Sequence, residues 1–149
     1  MLGSVYIDTS VLIKWLVSEP FSAQVATFFN EDRRLVINDL VELECDCTLR
    51  RIQRSGRITE AYRVQAMQAF GKQIEERWFE KVPFSSTALS DAKPLIAALA
   101  PRPLRTLDAI HLVSAKSSHI EQLATADAQM AEAAKALGLN VHFFNDVAI

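Results

Sequence analysis

Val5-Tyr6-Ile7-Asp8-Thr9-Ser10-Val11-Leu12-Ile13-Lys14-Trp15-Leu16-Val17 begins as a β-branched and aromatic run and changes character at Asp8. Beyond it the apolar residues recur at helical spacing, with Thr9 or Ser10 able to cap a helix that runs to Val17. Pro20 prevents that helix from continuing. The same step from strand to helix returns along the chain. Leu35-Val36-Ile37 reads as a strand, after which Asn38 or Asp39 caps a long helix reaching about Ser55, with Gly56 beyond its end. Leu123-Ala124-Thr125 reads as a strand, followed by a helix over Ala128 to Leu137 with Gly138 as its C-cap. Phe79 to Phe84 gives a weaker strand, and Val141 to Phe144 the last one. Further helices are expected over Ser22 to Asn30, from Thr59-Glu60 to about Glu76, and after a cap at Ser90 or Asp91 with Pro94 in the first turn. Leu107 to Lys116 is apolar almost all round, hence a buried helix. Strands alternating with helices imply an α/β fold, a three-layer α/β/α sandwich around a central parallel sheet. There is no repeat and no linker, so residues 1–149 form a single domain, with the 57–80 stretch as an insertion or cap.

Composition excludes several functional classes. In a chain of 149 residues, 50% are hydrophobic and 23% charged, which is a globular and not a disordered balance. A formal net charge of −2 argues against a strongly cationic nucleic-acid coat but leaves room for a local basic face. Neither G-x-G-x-x-G nor G-x-x-x-x-G-K-[ST] is present, so nucleotide-binding loops of those kinds are out. Two cysteines, Cys45 and Cys47, are too few for a disulfide scaffold or a zinc site. No stretch approaches the ~18 apolar residues of a membrane span. Met1-Leu2-Gly3-Ser4 lacks the basic start of a secretory signal. A cytoplasmic, reduced setting without membrane attachment is the expectation.

Open parallel sheets carry their sites outside the carboxyl ends of the strands. Four acids are expected there. Asp8 follows the first strand directly, and Asp127 lies just past Thr125. Asp108 starts the apolar helix Asp108-Ala109-Ile110-His111-Leu112, and Glu44 lies in the second turn of the helix after the second strand. With Leu40 at zero and about 100° per residue, Glu44 falls near 40°, inside an apolar arc bounded by Leu43 and Cys47 on one side and Val41, Cys45, Thr48 and Ile52 on the other. Glu42 and Asp46 fall near 200° and 240°, on the polar side. Glu44 therefore points inward, where a carboxylate needs a partner or a ligand. Arg51, on the same arc, is one possible partner.

Each acid also has a purely structural reading: Asp8, Asp108 and Asp127 as helix N-caps, and Glu44 paired with Arg51. All four converging at one sheet edge would repel, by about 4 kcal/mol for two unit charges ~4 Å apart at an effective dielectric near 20. A hard divalent cation relieves that repulsion and takes oxygen ligands, which points to a Mg²⁺ or Mn²⁺ site suited to hydrolysing a phosphodiester.

These residues carry a resemblance. Tyr6-Ile7-Asp8-Thr9-Ser10-Val11-Leu12, Asn38-Asp39-Leu40-Val41-Glu42-Leu43-Glu44 with Leu49-Arg50-Arg51, Leu104-Arg105-Thr106-Leu107-Asp108-Ala109-Ile110-His111-Leu112, and Leu123-Ala124-Thr125-Ala126-Asp127 follow in that order. The sequence resembles the PIN-domain nucleases, and among them the toxins of VapBC-type toxin–antitoxin pairs. The resemblance implies a metal-dependent ribonuclease with Asp8, Glu44, Asp108 and Asp127 at the family's four acidic positions. It implies an RNA substrate, a homodimer, and an antitoxin that inserts a basic segment into the acidic site. It places Ser10 and Thr125 beside the metal as secondary contacts. The sequence departs from the family in having Ala128-Gln129-Met130, with no basic residue, after Asp127, and Pro101 and Pro103 where a helix end and a glycine turn are expected.

Two other functional classes compete. A phosphatase using Asp8 as nucleophile, as in haloacid-dehalogenase-like enzymes, wants a second aspartate where this chain has Ser10. A PIN-type RNA-binding or scaffold domain without chemistry would not need all four acids. Arg50, Arg51, Arg54, Arg57 and Arg63 form a basic stretch that is either a phosphate-binding face or an ordinary solvated helix surface. Here Arg51 is a secondary site candidate. His111, one turn beyond Asp108, reads as a packed core histidine. Trp15, Phe28, Phe29, Trp78 and Phe79 read as core or dimer-interface residues.

Overall fold

A computed structural model describes residues 1–149. The chain runs β1 (Ser4–Ile7), α1 (Thr9–Leu16), α2 (Ser22–Phe29), β2 (Arg34–Asn38), α3 (Asp39–Arg54), α4 (Glu60–Glu75), β3 (Phe79–Val82), α5 (Ala88–Leu99), α6 (Thr106–Ser117), β4 (Gln122–Thr125), α7 (Ala128–Ala136) and β5 (Asn140–Phe143). All five strands are parallel, in the order β3-β2-β1-β4-β5. From β1 the chain steps outward through β2 to β3, then returns to β4 on the other side of β1. The carboxyl end of β1 is thus a topological switch point, the place where such sheets open a crevice.

Side-chain alternation explains the layers. Val5 and Ile7 of β1, with Leu35 and Ile37 of β2, face a core shared with α1–α4. Tyr6, Val36 and Leu123 face the opposite core, shared with α5–α7. A period of two divides each strand between the two helical layers, which gives the expected α/β/α sandwich. The Trp15, Phe29, Trp78 and Phe79 rings pack with centroids 5.2–6.2 Å apart, so these aromatics belong to the core beneath α1 and α2. The helix expected as an insertion, α4, buries Phe70 in the same core.

Some boundaries differ from the sequence reading. The helix α5 begins at Ala88, with Thr87 as its N-cap, so Pro94 lies inside the helix and not in its first turn. Asp91 does not cap it; it accepts a hydrogen bond from the Thr87 hydroxyl at 2.7 Å. Ser90, whose carbonyl would have bonded residue 94, is exposed together with Pro94, so water can take the place of the lost helical bond. The turn after α5 needs no glycine, because the Arg102 amide closes on the Leu99 carbonyl at 3.0 Å. Gly56 and Gly138 do adopt positive φ, 83° and 84°, just beyond the ends of α3 and α7. No helix is long and apolar enough to cross a membrane.

Candidate active site

A cleft of about 960 Å³ opens at the switch point. Asp8, Glu44, Asp108 and Asp127 all line it, together with Ser10, Arg51, Arg57, Lys14, Arg105 and His111. The elements explain how each acid arrives. Asp8 sits between β1 and α1 and caps α1, its Oδ1 accepting from the Val11 amide at 3.2 Å. Asp127 caps α7, accepting from the Met130 amide at 3.0 Å. For these two the N-cap reading of the sequence holds, and both residues also line the cleft. For Asp108 the N-cap reading does not hold: Arg105 is the N-cap residue of α6, and Asp108 lies in its first turn with a buried carboxylate. An acid there faces the positive end of the helix dipole without capping it.

Asp8 is the deepest of the four, only 4% exposed. Ser10 donates to its Oδ1 at 2.6 Å, and Thr125 donates to its Oδ2 at 2.5 Å. Burial pushes its carboxyl above the ordinary aspartate value, and the Ser10 and Thr125 hydroxyls offset part of that rise. Thr125 also accepts from the Asp127 amide at 3.0 Å, and Ser10 from the Ala126 amide at 2.8 Å. These two hydroxyls therefore tie the end of β1 to the turn after β4. They brace Asp8.

Glu44 points inward from α3, as the helix geometry requires, but its partner is not Arg51. His111 Nε2 lies 2.5 Å from Glu44 Oε1, and the Thr9 hydroxyl donates to the same oxygen at 2.9 Å. Burial alone would raise the Glu44 carboxyl; the hydrogen bond and charge of His111, the Thr9 hydroxyl and the charge of Arg105 outweigh it and hold it below its usual value. An ionised Glu44 only accepts, so the proton of this contact is on His111 Nε2. The other ring nitrogen, Nδ1, hydrogen-bonds the buried Tyr6 hydroxyl at 2.7 Å. Leu43 and Cys47, on the edge of the apolar arc, are exposed, so the buried stripe of α3 is narrower than its apolar one.

Arg105 completes the floor. Its Nε donates to Asp108 Oδ2 at 2.9 Å and its Nη2 to Asp127 Oδ2 at 2.5 Å. One guanidinium thus sits between two of the four acids. No three carboxylate, imidazole or thiolate groups are gathered at the spacing of a closed metal cage. The donor chemistry nevertheless suits a hard divalent cation, since every acid offers carboxylate oxygens and two of them already hold one positive group in common.

The basic stretch separates into distinct roles. Arg51 and Arg57 line the cleft. Arg50 pairs with Asp46 across one helical turn on α3, and the buried Arg63 donates to Gln53 at 2.6 Å. Only part of that stretch faces the acids.

The family model for the PIN domain matches residues 5–136. The chain belongs to the PIN-domain family. Comparison with curated proteins finds no match. Among solved structures, this PIN domain is similar to VapC20 of Mycobacterium tuberculosis, described as a sarcin–ricin loop cleaving toxin. The identity is 13%, the TM-score 0.67, and the match covers 87% of this chain and 94% of that one. It is also similar to VapBC2 of Rickettsia felis, solved bound to a DNA fragment from their promoter, at 12% identity and a TM-score of 0.64, covering 95% and 98%. FitAcB of Neisseria gonorrhoeae matches at 16% identity and a TM-score of 0.62, covering 92% and 95%. At these identities the likeness carries the fold.

Sequence reasoning missed two residues of this cleft. His111 looked like core packing because its neighbours are apolar, and it is indeed 2% exposed. The missed signal was the inward Glu44, which had to have a cationic or donor partner. Arg105 precedes Asp108 by three positions, a spacing at which side chains meet on a helix, and that signal was present.

Proposed function

We propose that this PIN domain is a Mg²⁺- or Mn²⁺-dependent endoribonuclease, the toxin of a type II toxin–antitoxin pair, acting as a homodimer that an antitoxin inhibits. The observation that carries the reading is the placement of Asp8, Asp108 and Asp127, from three separate elements, around one open cleft at the switch point of the sheet. A bound divalent cation would supply Lewis-acid polarisation of the phosphodiester and acidification of a water. Asp8, Asp108 and Asp127 would hold it, with Ser10 and Thr125 fixing the Asp8 carboxylate and Glu44 adding negative charge from the α3 side. A phosphatase mechanism through Asp8 is disfavoured, because Ser10 stands where a second aspartate is needed and spends its hydroxyl on Asp8 itself. Purified protein incubated with total RNA should give discrete products in Mg²⁺ or Mn²⁺ and none with a chelator. RNA bound but uncut in both metals would replace this reading with a binding or scaffold role.

Arg51 and Arg57 are proposed to hold the RNA backbone beside the acids. Replacing both with alanine should weaken RNA binding at low salt and lower the slope of log affinity against log salt by about 1 per arginine. A filter-binding titration at several salt concentrations reads this. An unchanged slope would leave Arg51 on α3 and Arg57 in the α3–α4 loop as ordinary solvated surface.

A further inference from the structure

We infer that Arg105 is a built-in competitor of the divalent cation: its guanidinium neutralises Asp108 and Asp127 in the metal-free protein and must leave them when the cation enters. This rests on the metal-dependent reading above and adds a control element to the same site. The geometry is specific. One side chain reaches two carboxylates from two elements, Asp108 in α6 and Asp127 at the start of α7, at 2.9 and 2.5 Å. Both contacts occupy the Oδ2 oxygens, and Asp127 Oδ1 already accepts from the Met130 amide.

The burial is asymmetric. The Arg105 side chain is 65% exposed, whereas those of Asp108 and Asp127 are 11% and 27% exposed. An exposed arginine gives up little on returning to water, because solvent screens its ion pairs and its rotamer freedom is recovered. A divalent ion carries twice the charge of the guanidinium and gains correspondingly more from the same two carboxylates. Without either, the two acids would face each other uncompensated beside the buried Asp8. Arg105 therefore lets the fold form before the metal arrives, and sets a threshold concentration below which the acids stay closed to it.

A purely structural role is the competing account: Arg105 would stitch the starts of α6 and α7 together. The two accounts differ in sign. Removing a competitor tightens metal binding, while removing a stitch loosens the site and weakens it. The test is Mn²⁺ binding, read by calorimetry and by the electron-paramagnetic signal of free Mn²⁺, on wild type, Arg105→Gln and Arg51→Gln. Arg51 lines the same cleft and touches neither aspartate, so it reports the effect of removing a nearby charge alone. Arg105→Gln should bind Mn²⁺ about fivefold to tenfold more tightly than wild type, as expected for the loss of two exposed ion pairs. Arg51→Gln should show a clearly smaller change. Equal or weaker binding by Arg105→Gln overturns the inference while leaving the metal site standing, as does an equal gain in Arg51→Gln. Absence of Mn²⁺ binding in all three proteins overturns both the inference and the metal-dependent reading beneath it.

Discussion

Asp108→Asn is expected to lower RNA cleavage by on the order of a hundredfold or more, because under the proposed metal-dependent mechanism it would remove one ligand charge worth several kcal/mol in the transition state. The substitution is nearly isosteric, so its effect on folding is small and calculable. Asp108 sits in the first turn of α6, where a carboxylate gains about 0.3–1 kcal/mol from the helix dipole. Its ion pair is with Arg105, a largely exposed side chain that retains Asp127. The unfolding midpoint should therefore move only slightly while the rate collapses. Asp46→Asn is the matched control: Asp46 pairs with Arg50 on α3 and takes no part in the cleft. It should cleave like wild type. Initial rates in Mn²⁺ beside thermal melts of all three proteins decide the matter. An Asp108→Asn protein that keeps more than about a tenth of the wild-type rate would remove this aspartate from any metal-binding role of the kind described.

The sequence alone makes the fold more legible than the site. The strand–helix alternation sufficed for the layers, because the apolar runs of β1, β2 and β4 are short and a polar residue at or just beyond each end, Asp8, Asn38 or Asp127, caps the next helix. Asn38 shows why this works: its Oδ1 accepts from the Val41 amide at 3.2 Å, and its Nδ2 donates to Ser114 at 2.8 Å. Local capping and long-range contact meet in one side chain, and the local half is visible in sequence. The start of α5 was less legible, since proline is usually a first-turn residue and only the exposed Ser85–Thr87 turn shows that the helix begins earlier.

In the site, spacing and helix geometry select the acids but not their partners. Glu44 could be turned inward from its angle on α3, yet nothing along that helix names a histidine 67 positions away. The register of β1 against β4, Ile7 beside Ala124, is what puts Thr125 on Asp8. Such contacts are set by how sheets and layers stack, and a single sequence carries that only as the existence of an unpaired buried charge. Arg105 differs again. Its link to Asp108 is local, whereas its link to Asp127 crosses from one helix start to another, and the second is what turns a common ion pair into a shared counter-ion.

His111→Ala carries the other large expected effect, a loss of about 2–4 kcal/mol of folding stability from the cavity and the unpaired groups together. The imidazole is 2% exposed and bridges two groups that have no other route to each other, the Tyr6 hydroxyl and the Glu44 carboxylate. Without it the Tyr6 hydroxyl loses its 2.7 Å partner inside the α5–α7 core. Glu44 meanwhile keeps the burial that raises its carboxyl and loses the main influence lowering it. The pH dependence follows with a definite sign. A carboxyl held below its usual value contributes stability that is present above its unfolded value and is lost as pH falls through the folded one. The gap between wild type and His111→Ala should therefore be widest near neutrality and shrink as pH drops through and below the ordinary glutamate range. His111→Gln, which keeps a donor for Glu44 and an acceptor for a phenol, should recover part of the loss. Urea unfolding of the three proteins at neutral and acid pH measures all of this. A His111→Ala protein within about 0.5 kcal/mol of wild type at neutral pH would mean that Glu44 and Tyr6 find other partners, and that the bridge is not what orients the α3 acid toward the cleft.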